Sequence, residues 1–175
     1  MISGGLDCHV KLWDLRKFRN NRDSSGSPLK PIASYNGGKS VNSAFFSPSG
    51  QYVVSTTMAN KLDLFTDLHL SPGEGKSKKG TQLLKPSSSI RHDNMTGRWL
   101  STFMAKWHPE LDIFVVGSMR KPRCVEIFDG AKGDCTRAIS GEGLTAVASR
   151  CCFHRSTDKL TVVGGNSSGR VTIAR

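Results

Sequence analysis

The sequence predicts an all-β fold, and three observations support this prediction. The run from Val10 to Arg16 alternates apolar and polar residues, which is typical of a strand with one buried face. Short stretches rich in glycine, serine or proline, such as Gly4 to Asp7 and Ser47 to Gly50, flank runs of this kind and favour tight turns. No segment keeps a helical apolar period for three turns, so a two-layer helical fold has little support.

The pair Trp13 and Asp14 narrows the fold class. A Trp-Asp pair that ends a strand after a hairpin is the mark of WD-repeat β-propellers, whose blades hold about 40–45 residues each. Large aromatic residues end equivalent predicted strands at Trp13, Phe65 and Phe128. We therefore expect a partial WD40 β-propeller of about three to four blades.

Similar groups of strands recur along the chain. The predicted strands are 41–46, 52–55 and 61–65, then 102–107, 113–117 and 124–128, then 145–152, 160–164 and 170–173. The expected units are the end of a blade at 1–19, a blade at 31–70, a polar loop insert at 70–89, a blade at 90–130 and an incomplete blade at 134–175. We expect the polar inserts 20–27 and 70–89 each to hold a blade's outermost strand and a surface loop.

The two ends of the chain predict a piece of a larger ring. The first unit lacks an innermost strand, and the last stops at Arg175 without an outer strand or the expected large aromatic residue. An open arc exposes strand edges that a closed ring hides. We expect a fragment, from a truncated gene model or splice product with Met1 an internal methionine, that is unstable or aggregates on its own.

The positive charge of the chain is concentrated in its middle. The net charge is +11, and the segment 76–123 carries ten Lys and Arg residues against three acidic ones, hence +7. A concentrated positive field favours an acidic partner, with nucleic acid first. The alternative is a solvated basic loop without a partner.

Several other classes of function find no support in the sequence. The five cysteines are scattered and form no CxxC pair, as expected for reduced thiols in a cytosolic or nuclear protein. The histidines lie in different units without metal-ligand spacing, and no nucleophile elbow or carboxylate pair appears. No apolar run is long enough to span a membrane. We predict no enzymatic activity, metal, cofactor or membrane partner.

A structural hydrogen-bond network is predicted in the first unit. Ser3, Asp7 and Trp13 fit three positions that share a buried network in WD blades and lock the blade geometry. In the second unit Ala59 replaces the acid, so the network should be absent. His92 is a candidate for this role in the third unit.

Two segments are candidates for DNA contact. The first, 91–99, holds Arg91, Arg98 and Trp99, and should lie on the central face of the ring. Cations neutralise phosphates and an aromatic ring can stack on a base, although Trp99 could equally pack beneath the next blade. The second candidate is the turn with Arg120, Lys121 and Arg123, for which a plain solvated turn is the alternative.

The chain resembles the family of WD repeat-containing protein 76 and its fungal counterpart, the changed-mutation-rate protein. The resemblance is carried by Arg91-His92, by Thr96 to Leu100, by 116–119 and 122–128, and by Gly164 to Gly169. It spans essentially the whole chain and implies the C-terminal part of a seven-bladed ring. It also implies a nuclear, DNA-associated role in DNA-damage responses. Other chromatin proteins are further expected partners.

Two more distant resemblances qualify that role. The runs 10–16, 41–44 and 107–109 are similar to the small WD-repeat subunit of the damaged-DNA-binding complex, but 92–98 lacks that subunit's Phe-Gln-His wedge. Binding to the DNA backbone is therefore expected rather than base flipping. Trp13-Asp14-Leu15-Arg16 resembles the motif of substrate receptors that dock on the cullin 4 ubiquitin ligase. This resemblance implies adaptor binding by Asp14 and Arg16 and an alternative function as an interaction scaffold, although many WD repeats end similarly without a ligase.

Overall fold

The computed structural model describes residues 1–16, 29–66, 68, 81–97, 100–155 and 160–175. These residues form fifteen β-strands arranged in four sheets, and no α-helix is present among them. The described residues hold no helix of the length and apolarity needed to cross a membrane. The all-β prediction is confirmed, and the sheets match the blades of a partial β-propeller.

The first sheet contains the Trp-Asp hairpin. Its members are β1 (Ile2–Gly4), β2 (His9–Leu12), β3 (Ala33–Asn36) and β7 (Gln82–Leu83), in the order β1-β2-β3-β7. The pairs β1–β2 and β2–β3 are antiparallel, whereas β7 joins β3 in parallel. Leu84, directly after β7, is 4% exposed within the apolar cluster beside this sheet.

The second and third sheets are complete four-stranded antiparallel meanders. The second contains β4 (Val41–Phe46), β5 (Val53–Thr57), β6 (Lys61–Phe65) and β8 (Ser88–Arg91), in that order. The third contains β9 (Lys106–Trp107), β10 (Ile113–Gly117), β11 (Cys124–Asp129) and β12 (Cys135–Ser140). Short turns favour the pairing of consecutive strands in these sheets, whereas β6 and β8 pair although residues 66–87 separate them in the chain.

The fourth sheet has three strands among the described residues. They are β13 (Arg150–Phe153), β14 (Val162–Gly165) and β15 (Val171–Ala174), again antiparallel. The predicted strands 52–55, 61–65, 113–117, 124–128, 160–164 and 170–173 thus fall close to β5, β6, β10, β11, β14 and β15. In each case an alternating apolar run is bounded by turn residues, which is the pattern that predicts strands best.

The sheets differ from the expected units at their outer strands. β3 lies within the expected unit 31–70, yet it pairs with β2 and so belongs to the first sheet, whereas β8 is the last strand of the second sheet. The expected unit 31–70 therefore mixes strands of two sheets.

The polar inserts are only partly described. The insert 20–27 lies outside the described residues, and so does most of 70–89. Ser88 and Ser89 at the end of the second insert begin β8, an outermost strand as expected. In the first sheet β3, the strand next to β2, begins after the first insert, 20–27.

Two innermost strands are shorter than predicted. Of the expected 102–107, only Lys106–Trp107 form β9, and of 145–152 only the last residues join β13. The Ala105 N–H donates to the Thr56 side-chain oxygen at 3.0 Å, in the neighbouring sheet, instead of to a strand of its own sheet. Apolar alternation persists through these segments because they are buried between sheets, so it overestimates the length of the strands.

The apolar core lies between the sheets. One cluster joins the first two sheets through Val10, Ala33, Val53 and Phe65; a second joins sheets two and three, and a third joins sheets three and four. In the second cluster Phe114 and Phe128 stack with ring centroids 5.1 Å apart. This packing is the main stabilising contribution, because it removes the faces of the sheets from water.

Gly117 at the end of β10 lies against the segment that leads into β13 of the fourth sheet. A β-carbon there would lie 1.8 Å from the carbonyl oxygen of Ala148. We expect Gly117→Ala to lower the free energy of unfolding by about 1–3 kcal/mol, because the rigid backbone opposite must move. Gly141→Ala is the control, since a β-carbon at that position would meet no atom within 4 Å and the residue has an ordinary φ. Urea denaturation measures both, and equal stability of the two variants would contradict the prediction.

Candidate nucleic-acid interface

The turn between β10 and β11 presents the predicted basic residues. Arg120 and Lys121 are exposed, and Arg123 is half-buried. The Arg120 N–H donates to the Ser118 hydroxyl at 3.3 Å, and Arg123 Nη1 donates to the Met119 carbonyl at 2.8 Å. The Lys121–Pro122 peptide bond is cis. This segment, 118–123, is called the basic hairpin below.

A buried acid lies beneath the basic hairpin. Glu126 on β11 is 5% exposed, and its Oε1 accepts a hydrogen bond from Arg120 Nη1 at 2.8 Å. Its Oε2 lies 3.2 Å from Nε2 of the buried His92. The contact with His92 lowers the pKa of Glu126 most, burial opposes it, and the bond from Arg120 adds to the lowering, so this pKa falls to about 2. The carboxylate is therefore charged throughout the neutral range.

The contact with His92 brings Arg91 to the same end of the sheets. Arg91 is exposed and ends β8 in the second sheet, opposite Lys61 in the β-ladder. The chain then turns inward: the His92 N–H donates to the Asn60 carbonyl at 3.1 Å, and the Asn94 amide donates to the carbonyls of Thr57 and Lys61. Arg91 and the basic hairpin together are called the basic end below. Arg98 and Trp99 lie outside the described residues.

His92 lies beside the third sheet, where the acid that it contacts is Glu126. Its ring packs edge-on against Phe103 and Phe128, with centroids 5.7 and 6.5 Å apart. Glu126 was not among the predicted site residues, although an acid within the apolar run 124–128 was a signal. Such a residue is either exposed on an open face or paired, and only the adjacent sheet shows which.

The predicted network of the first sheet is partly present. Trp13 Nε1 donates to the Ser3 hydroxyl at 2.8 Å. Asp7 does not share a buried network with them: half of its side chain is exposed, and it accepts bonds from the Lys11 ammonium and the His9 N–H. These partners on its own hairpin hold the carboxylate on the exposed side. Of the predicted network, the structure therefore retains the hydrogen bond between Trp13 and Ser3.

The Trp-Asp strand ends in a surface ion pair. Arg16 donates to both carboxylate oxygens of Asp14, with Nε and Nη2 at 2.9 and 2.8 Å. The Arg16 side chain is 90% exposed, whereas that of Asp14 is 13% exposed. Asp14 thus orients a guanidinium that faces solvent, and the bond raises the pKa of Arg16.

The opposite end of the sheets is built from other turns. The Asp112 carboxylate accepts a hydrogen bond from the Ser49 N–H at 3.3 Å, and its backbone carbonyl accepts one from Gly130 at 2.8 Å. These turns carry Lys132, which is exposed. The described residues hold no group of three His, Cys, Asp or Glu side chains placed to bind a metal ion.

Comparison with known proteins agrees with this architecture. A family model described as "WD domain, G-beta repeat" matches residues 29–62, which contain β3 to the start of β6. The matched segment is similar to one WD repeat, and the fold class is that of a partial WD40 β-propeller. The Trp-Asp pair and the recurring groups of predicted strands therefore predicted the fold class correctly.

Its relatives extend the similarity to nearly every residue. WD repeat-containing protein 76 of Mus musculus is 37% identical over 175 residues, which is 98% of this chain and 25% of the mouse protein. DNA damage-binding protein CMR1 of Chaetomium globosum is 30% identical over 99% of this chain and 32% of its own length. The predicted resemblance is confirmed. The chain spans about a quarter to a third of the length of the curated relatives it matches.

The charge of Glu126 should stabilise the fold in a pH-dependent way. A carboxyl whose folded-state pKa is lowered from 4.5 to about 2 contributes stability above pH 4.5 and loses it as the pH falls toward 2. We expect this loss to be about 3 kcal/mol. Urea denaturation between about pH 6 and pH 2 measures it. Glu126→Gln cannot titrate and should show a smaller loss; parallel pH profiles would refute the prediction.

Proposed function

We propose that this WD-repeat protein is a non-enzymatic nuclear DNA-binding protein of the DNA damage response, which binds the phosphate backbone through the basic end. The residues assigned to phosphate contact are Arg91, Arg120, Lys121 and Arg123, joined by Arg98 and Trp99 in the predicted site. Relatives named DNA damage-binding protein CMR1 support the choice of partner. Chromatin proteins are further expected partners.

The observation that carries this proposal is the exposure of cations from two sheets at one end. The basic hairpin belongs to the third sheet and Arg91 to the second, and the His92–Glu126 contact at 3.2 Å joins them. The Arg120 side chain is 68% exposed despite its bond to Glu126, so the rest of its guanidinium can donate to a phosphate. Two sets of cations on adjacent sheets suit a strand of phosphates better than a single small anion.

The proposed binding is dominated by the DNA backbone. Arginine and lysine contacts to phosphates position a protein on the duplex but carry no direct sequence information. The segment 92–98 also lacks the Phe-Gln-His wedge that would enter a lesion. We therefore propose salt-sensitive binding with little base specificity.

Charge reversal at the basic end tests the proposal. We expect Arg91→Glu with Lys121→Glu to weaken binding of the chain to a fluorescent DNA duplex on the order of a hundredfold at about 0.1 M salt, because two phosphate contacts are lost. The salt dependence should fall by about two phosphate equivalents. Fluorescence anisotropy across a salt series measures both quantities.

A matched variant separates the site from net charge. Lys30→Glu with Lys132→Glu removes the same charge from exposed positions outside the basic end. It should bind DNA several-fold more tightly than the double reversal at the basic end. Equal binding by the two double variants would refute a localised interface.

The Asp14–Arg16 pair favours a second candidate function. We propose that this pair docks on the large adaptor of the cullin 4 ubiquitin ligase, with the chain acting as part of a substrate receptor or interaction scaffold. The supporting observation is the bidentate geometry, which holds a 90% exposed guanidinium in one orientation. The two functions use separate residues and can coexist.

Removing the Arg16 guanidinium tests the second candidate. We expect Arg16→Ala to abolish capture of the purified adaptor in a pull-down, while DNA binding stays within about twofold because Arg16 lies outside the basic end. Lys132→Ala removes an exposed cation elsewhere and should leave capture unchanged. Retention of the adaptor by Arg16→Ala would count against this function.

A further inference from the structure

One buried carboxylate contacts the basic hairpin and His92, the residue next to Arg91. Glu126 Oε1 accepts from Arg120 Nη1 at 2.8 Å, and Oε2 lies 3.2 Å from His92 Nε2. The side chains of His92 and Glu126 are only 3% and 7% exposed, so solvent screens this contact little. Glu126 itself is too deep to touch a DNA phosphate.

We propose that Glu126 is a positioning residue that sets the spacing between the DNA-contacting cations of the second and third sheets. The inference rests on the DNA-binding function proposed above. Glu126 holds Arg120 directly, and it holds Arg91 through the adjacent residue, His92. The phosphates of one DNA strand are regularly spaced, so cations on two sheets bind together only at a defined separation.

His92 is held from several sides and can transmit this constraint. Its N–H donates to the Asn60 carbonyl at 3.1 Å, and its Nδ1 lies 2.7 Å from the Asn94 side-chain oxygen. Its ring also packs between the side chains of Phe103 and Phe128. The carboxylate of Glu126 therefore links this buried ring, which follows β8 of the second sheet, to the basic hairpin of the third sheet.

Whether neutralising Glu126 strengthens or weakens DNA binding separates positioning from simple electrostatics. A negative charge beneath the basic hairpin opposes the approach of phosphates. If charge alone matters, neutralising Glu126 should strengthen DNA binding. If Glu126 positions the cations, neutralising it should weaken DNA binding although the net charge becomes more positive.

The experiment compares variants of the 175-residue chain by anisotropy with a fluorescent DNA duplex across a salt series. We expect Glu126→Gln to bind on the order of tenfold more weakly at about 0.1 M salt, with the salt dependence reduced by about one phosphate equivalent. Glu126→Asp keeps the charge but shortens the reach, and should also weaken binding. Glu142→Gln makes the same charge change as Glu126→Gln on an exposed loop, and should bind as tightly as the parent or slightly more tightly.

The outcomes distinguish the inference from the function on which it rests. Unchanged or tighter binding by a folded Glu126→Gln would overturn positioning, while the double reversal at the basic end still tests DNA binding separately. If Glu126→Gln does not fold by circular dichroism, Glu126→Asp decides instead. It keeps the charge and every DNA-contacting residue but shortens the reach to Arg120 and His92, so weaker binding at equal net charge supports positioning and parent-like binding overturns it.

Discussion

Burial of each sheet against its neighbours is the constraint on which the rest of the structure depends. Adjacent residues of one strand enter different cores: Val53 packs toward the first sheet and Val54 toward the third. Val115 and Val116 divide in the same way between the fourth and second sheets. Because both faces of the middle sheets are covered, their strands carry apolar residues on both sides.

Polar groups between the sheets follow from the same constraint. A buried carboxylate must find a partner, and groups of its own sheet and of the adjacent sheet serve here. Asp63, fully buried on β6, accepts a bond from Ser89 and lies 3.2 Å from the Lys61 ammonium, which in turn donates to Tyr35 of the first sheet. Glu126 makes the corresponding link between the second and third sheets. The proposed interface is thus supported by contacts that also hold the sheets together.

Local patterns predicted the strands and turns well where the structure is locally determined. The strands 41–46, 61–65 and 113–117 have the predicted bounds because an alternating run ends at turn residues. The innermost segments were predicted too long, since residues buried between sheets are apolar whether or not they form a ladder. The outer strand β3 was grouped with the wrong sheet, because pairing partners are not encoded in a strand's own alternation.

The candidate site likewise has a part that the sequence predicted and a part that only the structure revealed. The sequence by itself determined the WD-repeat fold class, the Trp13–Ser3 pair and the basic composition of the hairpin, since these depend on residue type and short spacing. Only the tertiary structure decided that Glu126 joins Arg120 to His92. Glu126 and His92 are separated by 34 positions and lie in different sheets, so their contact arises from the packing of one blade on the next.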